Sequence, residues 1–247
     1  MDTICYSDYD PFARVYNETW GPELTEQVLR PLETVLLPHI PPNARILDLG
    51  CGTGQVAQQL QTQGYCITGL DSSKTMLEYA RINAPEIEWI VSDARHFTVP
   101  PTFNAVISTS AALNHVIDLE DLIQVFKNVY IALLENGLFI FNLYLGDDYQ
   151  SDWHGSMSGN IQEEYAWAVR RHYQPDDRIG KLQITVFELI QGNWQRSDTT
   201  WFVRGYSKTE ICSALEQVGF SNVNVYDAVQ DFGVHQGAGN AYFVCRK

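Results

Sequence analysis

The sequence predicts an α/β fold, with a seven-stranded, mostly parallel sheet between layers of helices and an antiparallel β insert after the fifth strand. Short apolar runs alternate with helical patterns between residues 45 and 144, which is typical of a parallel sheet. In the following stretch, up to residue 206, apolar and polar positions alternate as they do in antiparallel strands. These two observations favour one α/β unit that carries an inserted meander.

Two helices are predicted before the first strand. Aromatic and apolar residues recur at helical spacing over residues 7–20, and Gly21 with Pro22 is expected to end this helix. A second amphipathic pattern runs to residue 37, where Pro38 ends it. We therefore expect two separate helices at the N-terminus.

Strands and helices then alternate along the chain. Strands are predicted over residues 45–49, 66–70, 87–91, 104–108 and 138–144, and helices over residues 55–63, 74–83 and 119–134. Asp118 is a typical N-cap for the last of these helices, and Gly137 is expected just beyond its C-terminal end. The carboxyl ends of parallel strands share one edge of the sheet, where ligands bind.

The pattern changes after Tyr144. Alternating apolar positions predict antiparallel strands near residues 165–169, 184–189 and 201–203, with turn signals at residues 175–177 and 191–193. Ser207 and Glu210 form a capping-box pattern that begins a helix, and Gly219 ends it. Residues 223–226 and 241–245 complete the predicted sheet.

The balance of charge argues against several classes of partner. The chain of 247 residues has a formal net charge of −14, and its densest basic cluster is the pair Arg170 and Arg171. Proteins that bind phosphate backbones or anionic membranes need basic patches, so we expect no nucleic-acid and no membrane partner. No apolar run approaches the roughly 20 residues that span a bilayer.

The cysteines indicate a reducing compartment. Cys5, Cys51, Cys66, Cys212 and Cys245 occur without a C-x-x-C pair. An odd count of this kind favours free thiols and no zinc site, so we expect a cytoplasmic protein without a bound metal. The first residues lack the basic and apolar regions of a signal peptide. A homodimer is compatible with the sequence.

The most specific signal lies where the first predicted strand meets its helix. Asp48 is followed by three glycines at alternate positions, Gly50, Gly52 and Gly54. Glycines let the backbone approach a ligand closely, and the N–H groups at the helix start face that ligand. A dinucleotide-binding G-x-G-x-x-G pattern would need its third glycine at Gln55, which weakens that interpretation without excluding it.

This D-x-G-x-G-x-G stretch resembles the first motif of the class I S-adenosylmethionine (SAM)-dependent methyltransferases and matches it without a gap. The resemblance implies a Rossmann-like sheet with SAM as the cofactor. It also implies that the cofactor lies against Asp48, Gly50, Cys51, Gly52 and Gly54.

Two further motifs follow on the next strands. Asp71 ends the second strand, where a carboxylate can accept both ribose hydroxyls of a nucleoside; capping of the next helix is the alternative. The family resemblance implies that Ser72 also contacts SAM and that Met76 lies against its adenine, with core packing as the alternative for Met76. Asp93 and Ala94 resemble the third motif, whose acid bonds the adenine amino group and whose next N–H meets a ring nitrogen. A simple turn is the alternative there.

The loop after the fourth strand is expected to carry the chemistry. The resemblance places Ser110 at the amino end of SAM and His115 just beyond it, where aminosugar N-methyltransferases have a histidine. The outline is also similar to that of glycine N-methyltransferase-like enzymes. A histidine can accept a proton near neutral pH, so His115 is a candidate base, with a structural histidine as the alternative. Asn104 departs from the family pattern, which often has an acid there.

The first helix and the insert are expected to close the site. Tyr9, Phe12, Ala13 and Tyr16 match the helix with which many small-molecule methyltransferases close over SAM. Arg14 could pair with the SAM carboxylate or lie in solvent, and Tyr16 is a second candidate base. The aromatic residues of the insert, which could wall a substrate pocket or pack within their own sheet, are Trp153, Tyr165, Trp167, Trp201 and Tyr206.

The expected organisation has three parts. Residues 1–43 form an N-terminal helical cap, residues 44–146 and 207–247 form the SAM-binding domain, and residues 147–206 form an antiparallel insert that serves as a substrate lid. The predicted function is methyl transfer from SAM to a small polar metabolite, with nitrogen favoured over oxygen or carbon as the acceptor. The alternatives are an NAD(P)-dependent oxidoreductase and a SAM-binding protein with non-methylating chemistry.

Overall fold

The computed structural model describes residues 7–146, 154–234 and 239–247. Predictions that concern Cys5 and Trp153 lie outside these residues. Within the described ranges, no helix is both long and apolar enough to cross a membrane.

One nearly continuous helical segment replaces the two separate helices predicted at the N-terminus. It comprises a 3₁₀ turn at Asp10–Phe12, α1 at Ala13–Val15, a π-helical turn at Tyr16–Trp20 and α2 at Gly21–Val35. The predicted break at Gly21 was wrong, because Pro22 lies in the first turn of α2, where proline is well tolerated. Gly21 itself has helical dihedral angles and leaves room for the side chain of Gln55.

The rest of the described chain alternates strands with helices and then becomes mainly β. The helices are α3 (Gln55–Thr62), α4 (Lys74–Asn83), α5 (Leu119–Ala132), α6 (Lys208–Val218) and α7 (Ala228–Phe232), with 3₁₀ turns at Leu37–His39 and Ala112–His115. The strands are β1 (Arg45–Leu49), β2 (Cys66–Asp71), β3 (Glu88–Val91), β4 (Phe103–Ser108), β5 (Leu133–Tyr144), β6 (Met157–Ile161), β7 (Tyr165–Gln174), β8 (Ile179–Ile190), β9 (Asn193–Arg204), β10 (Ser221–Asp227) and β11 (Asn240–Arg246).

The larger sheet has seven strands in the order β10-β11-β5-β4-β1-β2-β3. Strands β1 to β5 pair in parallel, and β11 is antiparallel to both β5 and β10. This arrangement confirms the predicted fold class. The strand order reverses between β1 and β4, so the carboxyl ends of these strands border the crevice in which open α/β sheets bind ligands.

Helices cover both faces of this sheet. One face packs against α5 and α6 through a cluster that includes Phe126, Phe139 and Phe141. The other packs against α2, α3 and α7 through a cluster that includes Leu32 and Ile46. Strand β1 contributes apolar side chains to both clusters, so the strand is covered on both faces of the sheet.

The junction between α5 and β5 differs from the prediction. Helix α5 ends at Ala132, and β5 begins directly at Leu133, whose backbone is extended with φ −75° and ψ 142°. Gly137 lies inside β5 and does not cap the helix. The left-handed position falls instead on Asn136, with φ +63°, a conformation that asparagine tolerates better than most residues.

The insert forms a separate four-stranded antiparallel sheet in the order β6-β7-β8-β9. One face of this sheet packs on the N-terminal helical segment, where Phe12 and Val15 are fully buried. The indole N–H of Trp201 in β9 donates to the Asp8 carbonyl at 2.9 Å. The insert therefore packs directly against the start of the described chain.

We expect Gly54→Ala to lower the free energy of unfolding more than Gly192→Ala. The two glycines have φ of +81° and +78°, so a side chain strains the backbone similarly at both positions. A Cβ at Gly54 would lie 2.6 Å from the Trp89 ring, whereas one at Gly192 would meet nothing within 4 Å. Urea denaturation should separate the two variants by about 1–3 kcal/mol. Equal midpoints would contradict the close packing of Trp89 on the glycine turn.

Candidate functional site

The glycine turn between β1 and α3 is bound to the end of β2. The N–H groups of Gly50 and Cys51 both donate to the Leu70 carbonyl, at 2.8 and 3.1 Å. The Gly52 N–H donates to Oδ2 of Asp71 at 2.8 Å. Three consecutive N–H groups of the turn are therefore engaged within the protein and are not directed at a ligand.

Gly52 lies directly beneath the N-terminal helical segment. Its φ is +55°, and a Cβ at this position would lie 3.3 Å from the Tyr16 ring. A residue with a side chain would therefore strain the backbone and push Tyr16 away. The glycine allows the helical segment to close over the turn.

Asp71, at the tip of β2, joins the turn to α4. Its Oδ1 accepts the Ser73 N–H at 2.8 Å, while Oδ2 accepts the Gly52 N–H. Burial raises the pKa of Asp71, and these backbone donors oppose the rise. Ser73, and not Asp71, caps α4 by accepting the Met76 N–H, and the Ser73 hydroxyl donates to Asp10 at 2.6 Å.

Asp93, just beyond the tip of β3, is paired with Arg95. The guanidinium binds both carboxylate oxygens of Asp93 through Nε and Nη2, at 2.9 and 2.6 Å, and reaches Asp121 of α5 through Nη1 at 3.1 Å. This pairing lowers the pKa of Asp93. Arg95 was not predicted; a basic residue two positions after the acid was the only sequence signal for it.

These strand tips border a cavity of about 520 Å³. Eleven of the predicted site residues line it: Tyr9, Tyr16, Gly50, Gly52, Asp71, Ser72, Met76, Asp93, Ala94, Ser110 and His115. The lining also includes Trp201 of the insert, as predicted, and further residues that were not predicted, among them Asp8, Trp20, Arg95, Asp121 and Phe202. The N-terminal segment, three strand tips and the insert thus surround one space.

Asp48 and Cys51 line a second, smaller cavity of about 20 Å³, together with Ser110 and Tyr16. That volume is enough for about one water molecule. The Asp48 side chain is buried, and its Oδ2 has no hydrogen-bond partner among the described residues. Burial, reinforced by the negative charge of Asp71, raises the pKa of Asp48 to about 7.

Arg14 and Gly54 lie away from the main cavity. The Arg14 guanidinium binds Glu18 at 3.0 Å and Glu164 at 2.7 Å. Its predicted contact with a ligand carboxylate is therefore not supported, because the insert supplies Glu164 as a competing partner. Gly54 packs against Trp89 at the start of α3.

His115 lies in the 3₁₀ turn after β4, and its neighbour Asn114 fixes that turn. The buried amide of Asn114 donates to the carbonyls of Tyr144 and Arg204, at 3.0 and 2.7 Å, and its oxygen accepts the Tyr144 N–H at 3.0 Å. Asn114 thereby joins the end of β5 to the end of β9 beside His115.

His115 packs among aromatic side chains. Its ring meets Tyr9 edge-on, with 5.2 Å between centroids, and Tyr9 stacks on Trp201 at 4.1 Å. Burial lowers the pKa of His115 to about 4, although a hydrogen bond to the backbone of Phe202 opposes this. The imidazole is therefore neutral at pH 7.

Tyr16 does not have the properties of a base at neutral pH. Burial raises the pKa of its phenol well above the usual value, and the charges of Asp71 and Asp48 raise it further. Its side chain also hydrogen-bonds with the Ser110 side chain. Tyr16 stays a neutral phenol, which suits positioning better than proton removal.

The chain is similar to known methyltransferases. Residues 46–137 match the family model described as a methyltransferase domain. A protein of Bacillus subtilis (strain 168) named "Putative methyltransferase YqeM" is 27% identical over 217 residues, which cover 86% of each chain.

Two solved structures share the fold along the whole chain. The sugar N-methyltransferase KedS8 from Streptoalloteichus sp. ATCC 53650 gives a TM-score of 0.78 at 15% identity, covering 100% of this chain and 95% of that one. The SAM-bound amino pentose methyltransferase CalS10 from Micromonospora echinaspora gives a TM-score of 0.70 at 19% identity, covering 100% and 99%.

We expect Asp48→Asn to gain stability relative to the native chain as the pH rises. The carboxyl has its usual pKa of 3.8 when unfolded and a pKa of about 7 when folded. Between these values the folded chain binds more protons than the unfolded chain, so the free energy of unfolding falls as the pH rises through this window. Asparagine removes that loss, which amounts to about 1–4 kcal/mol.

Urea denaturation at pH 5 and pH 8 measures this effect. Asp176→Asn, in the exposed turn between β7 and β8, is the control and should differ from the native chain equally at both pH values. A stability difference for Asp48→Asn that does not change with pH would show that this buried carboxyl does not titrate in the window.

Proposed function

We propose that this chain, which is a class I SAM-dependent methyltransferase, transfers the methyl group to an amine nitrogen of a small polar metabolite. When bound, SAM supplies a methyl group that is activated on a sulfonium. The observation that carries the proposal is a single cavity of about 520 Å³ that is lined both by the tips of β1, β2 and β3 and by a neutral, half-buried His115.

The residues at the strand tips fit the cofactor. The carboxylate of Asp71 accepts backbone N–H groups from Gly52, Ser72 and Ser73 and still keeps a lone pair for a ribose hydroxyl. The Asp93–Arg95 pair and Ala94 would meet the adenine edge, with Ser72 and Met76 beside it. The lining carries more aspartates than basic residues, which suits a cofactor with net positive charge.

The same turn argues against a dinucleotide cofactor. A pyrophosphate is held by free N–H groups of a glycine turn and of the helix that follows it. Here the N–H groups of Gly50, Cys51 and Gly52 already donate to the end of β2. These three N–H groups are therefore not available to a pyrophosphate, which argues against the NAD(P) alternative.

The amino-acid end of SAM would lie toward Ser110 and the glycine turn. We assign Tyr16, held by its hydrogen bond with Ser110, to position that end. Asp48 would act through one water in the smaller cavity, because its Oδ2 faces no protein donor. Arg14 has no part in the proposal, because it is bound to Glu18 and Glu164.

His115 would orient the acceptor. A neutral imidazole can accept a hydrogen bond from an amine N–H through its free ring nitrogen. With a pKa of about 4 it is a weak base, so it suits an amine, which needs little help, better than a hydroxyl, which needs a strong base. Orientation of this kind can supply about 7–11 kcal/mol of the barrier to a bimolecular reaction.

The N-terminal cap and the insert would exclude water. We propose that residues up to 43 and residues 147–206 act together as a lid over the domain formed by residues 44–146 and 207–247. The support lies in the contacts of Trp201 with Asp8 and of Ser73 with Asp10, which tie the cap to both neighbours. Closure of this kind protects a reactive methyl donor from hydrolysis.

We expect Asp71→Asn to weaken SAM binding by about tenfold or more, because one carboxylate oxygen and its charge are lost from the ribose contact. Isothermal titration of SAM and of S-adenosylhomocysteine measures the effect. Asp227→Asn is a matched control, since Asp227 also accepts two backbone N–H groups at a helix start, but that helix is α7 and Asp227 does not line the cavity. Unchanged SAM affinity in folded Asp71→Asn would contradict the assignment of the ribose site.

We expect the acid limb of the kcat/KM profile to follow the pKa of the acceptor. Between pH 5 and pH 9 the imidazole of His115 stays neutral, because its pKa is about 4. Only the deprotonated amine can be methylated, so an amine whose pKa is one unit lower should shift the limb down by about one pH unit. The acceptor is first identified from a panel of amines, alcohols and carboxylic acids by release of S-adenosylhomocysteine.

Two outcomes would contradict the nitrogen assignment. One is turnover with alcohols or carbon acids while amines stay inert. The other is an acid limb that remains near pH 6.5 for every amine, because that would indicate an ordinary histidine acting as the base.

A further inference from the structure

The wall of the cavity away from the strand tips is aromatic. This aromatic wall consists of Tyr9, Trp20, His115 and Trp201. Tyr9 and Trp201 form a stacked pair, with 4.1 Å between centroids. Aromatic faces attract organic cations and also accept flat apolar rings.

The mouth of the cavity is apolar as well. Phe202 and Ile117 both line the cavity and are 47% and 45% exposed. Large apolar side chains exposed together at a cavity mouth are typical of a binding surface. A ligand that enters here therefore meets apolar surface before it reaches His115.

The charged groups of the lining are four aspartates and one arginine. The aspartates are Asp8, Asp71, Asp93 and Asp121, of which Asp8 is exposed at the rim. The guanidinium of Arg95 is already bound to Asp93 and Asp121. Among the described lining residues there is no other lysine or arginine. The lining is thus acidic and offers no uncommitted guanidinium or ammonium to a phosphate.

The lysine and arginine side chains around the cavity do not offset the negative charge of its lining. Arg204, near the rim, donates to the Ile117 carbonyl at 3.2 Å and binds Glu210 at 3.4 Å. Lys181 pairs in register with Phe202 on the neighbouring strand, so it is a candidate cation at the rim and belongs in the test. Residues 1–6, 147–153 and 235–238 contain neither lysine nor arginine, so none of these segments can bring such a side chain to the cavity.

We propose, on the basis of the function proposed above, that the acceptor is a free amine with an apolar or aromatic body and no phosphate group. Its ammonium form is drawn to the rim by Asp8 and held by the aromatic wall, while its apolar body packs on the Tyr9–Trp201 pair. An acceptor attached to a nucleotide or to another phosphate-bearing carrier is repelled, because it brings negative charge to an acidic lining.

Three probes that differ in charge test this proposal. Benzylammonium, benzyl alcohol and benzyl phosphate share one ring and carry a positive, a neutral and a negative group. Each is titrated into the full chain saturated with S-adenosylhomocysteine, and binding is followed by tryptophan fluorescence and calorimetry. Benzylammonium should bind at least about tenfold more tightly than benzyl phosphate, with benzyl alcohol between them, and the difference should shrink as salt is added.

Three variants test which side chains determine this preference for charge. Asp8→Asn should weaken benzylammonium binding and leave benzyl alcohol unchanged, whereas Asp227→Asn at the end of β10 should alter neither. Lys181→Gln should leave all three affinities unchanged. The proposal is overturned by benzyl phosphate binding as tightly as benzylammonium, by a loss of benzyl phosphate affinity in Lys181→Gln, or by no saturable benzylammonium binding.

The design separates this inference from the function on which it rests. S-Adenosylhomocysteine binding is measured first, and the methylated atom of any product is identified by mass spectrometry. Preference for benzyl phosphate together with an N-methylated product overturns only the free-amine inference. An O-methylated product, found together with the expected order of affinities for the three probes, overturns only the proposal that nitrogen is the acceptor.

Discussion

One carboxylate holds the site together. Asp71 accepts an N–H from the turn after β1 and another from the start of α4, so a single side chain joins the glycine turn, the end of β2 and α4. Ser73, positioned by the same contact, reaches Asp10 in the N-terminal segment. The strand tips and part of the N-terminal segment are therefore held in place before a ligand binds, which reduces the entropy cost of binding.

This arrangement has an electrostatic consequence. Asp48 is buried and Asp71 is half-buried, and the charge of Asp71 adds to the rise in the pKa of Asp48. A positively charged ligand stabilises the ionised form of two such closely spaced carboxylates, whereas a negatively charged ligand destabilises it. The aromatic wall has the same preference, because ring faces attract cations. The carboxylates and the aromatic wall thus both favour a positively charged ligand, the former through their negative charge and the latter through cation–π attraction.

Local patterns made much of the α/β core predictable. The predicted bounds of β1 to β4 agree with the structure to within one residue at each end, because apolar runs and glycine spacing are written in consecutive residues. The contacts that the sequence could not predict join residues that are far apart in the chain. Arg14 is held by Glu164, 150 positions away, and Asn114 binds the carbonyl of Arg204, 90 positions away. The N-terminal helix ran through Gly21 and Pro22 because packing on α3 outweighed a local tendency to break.

Asn114 has a further consequence for how this architecture can vary. Its amide binds Tyr144, where the chain leaves the seven-stranded sheet, and Arg204, where the chain returns to it. Within the described part of the insert, Trp201 stacks on Tyr9 and the Phe202 backbone hydrogen-bonds His115, so this end of the insert is coupled to the imidazole. The turn between β8 and β9 lies at the other end, where a Cβ at Gly192 would meet nothing within 4 Å. Changes in the length of that turn therefore leave the imidazole in place, whereas substitutions near Trp201 alter both the cavity wall and the setting of His115.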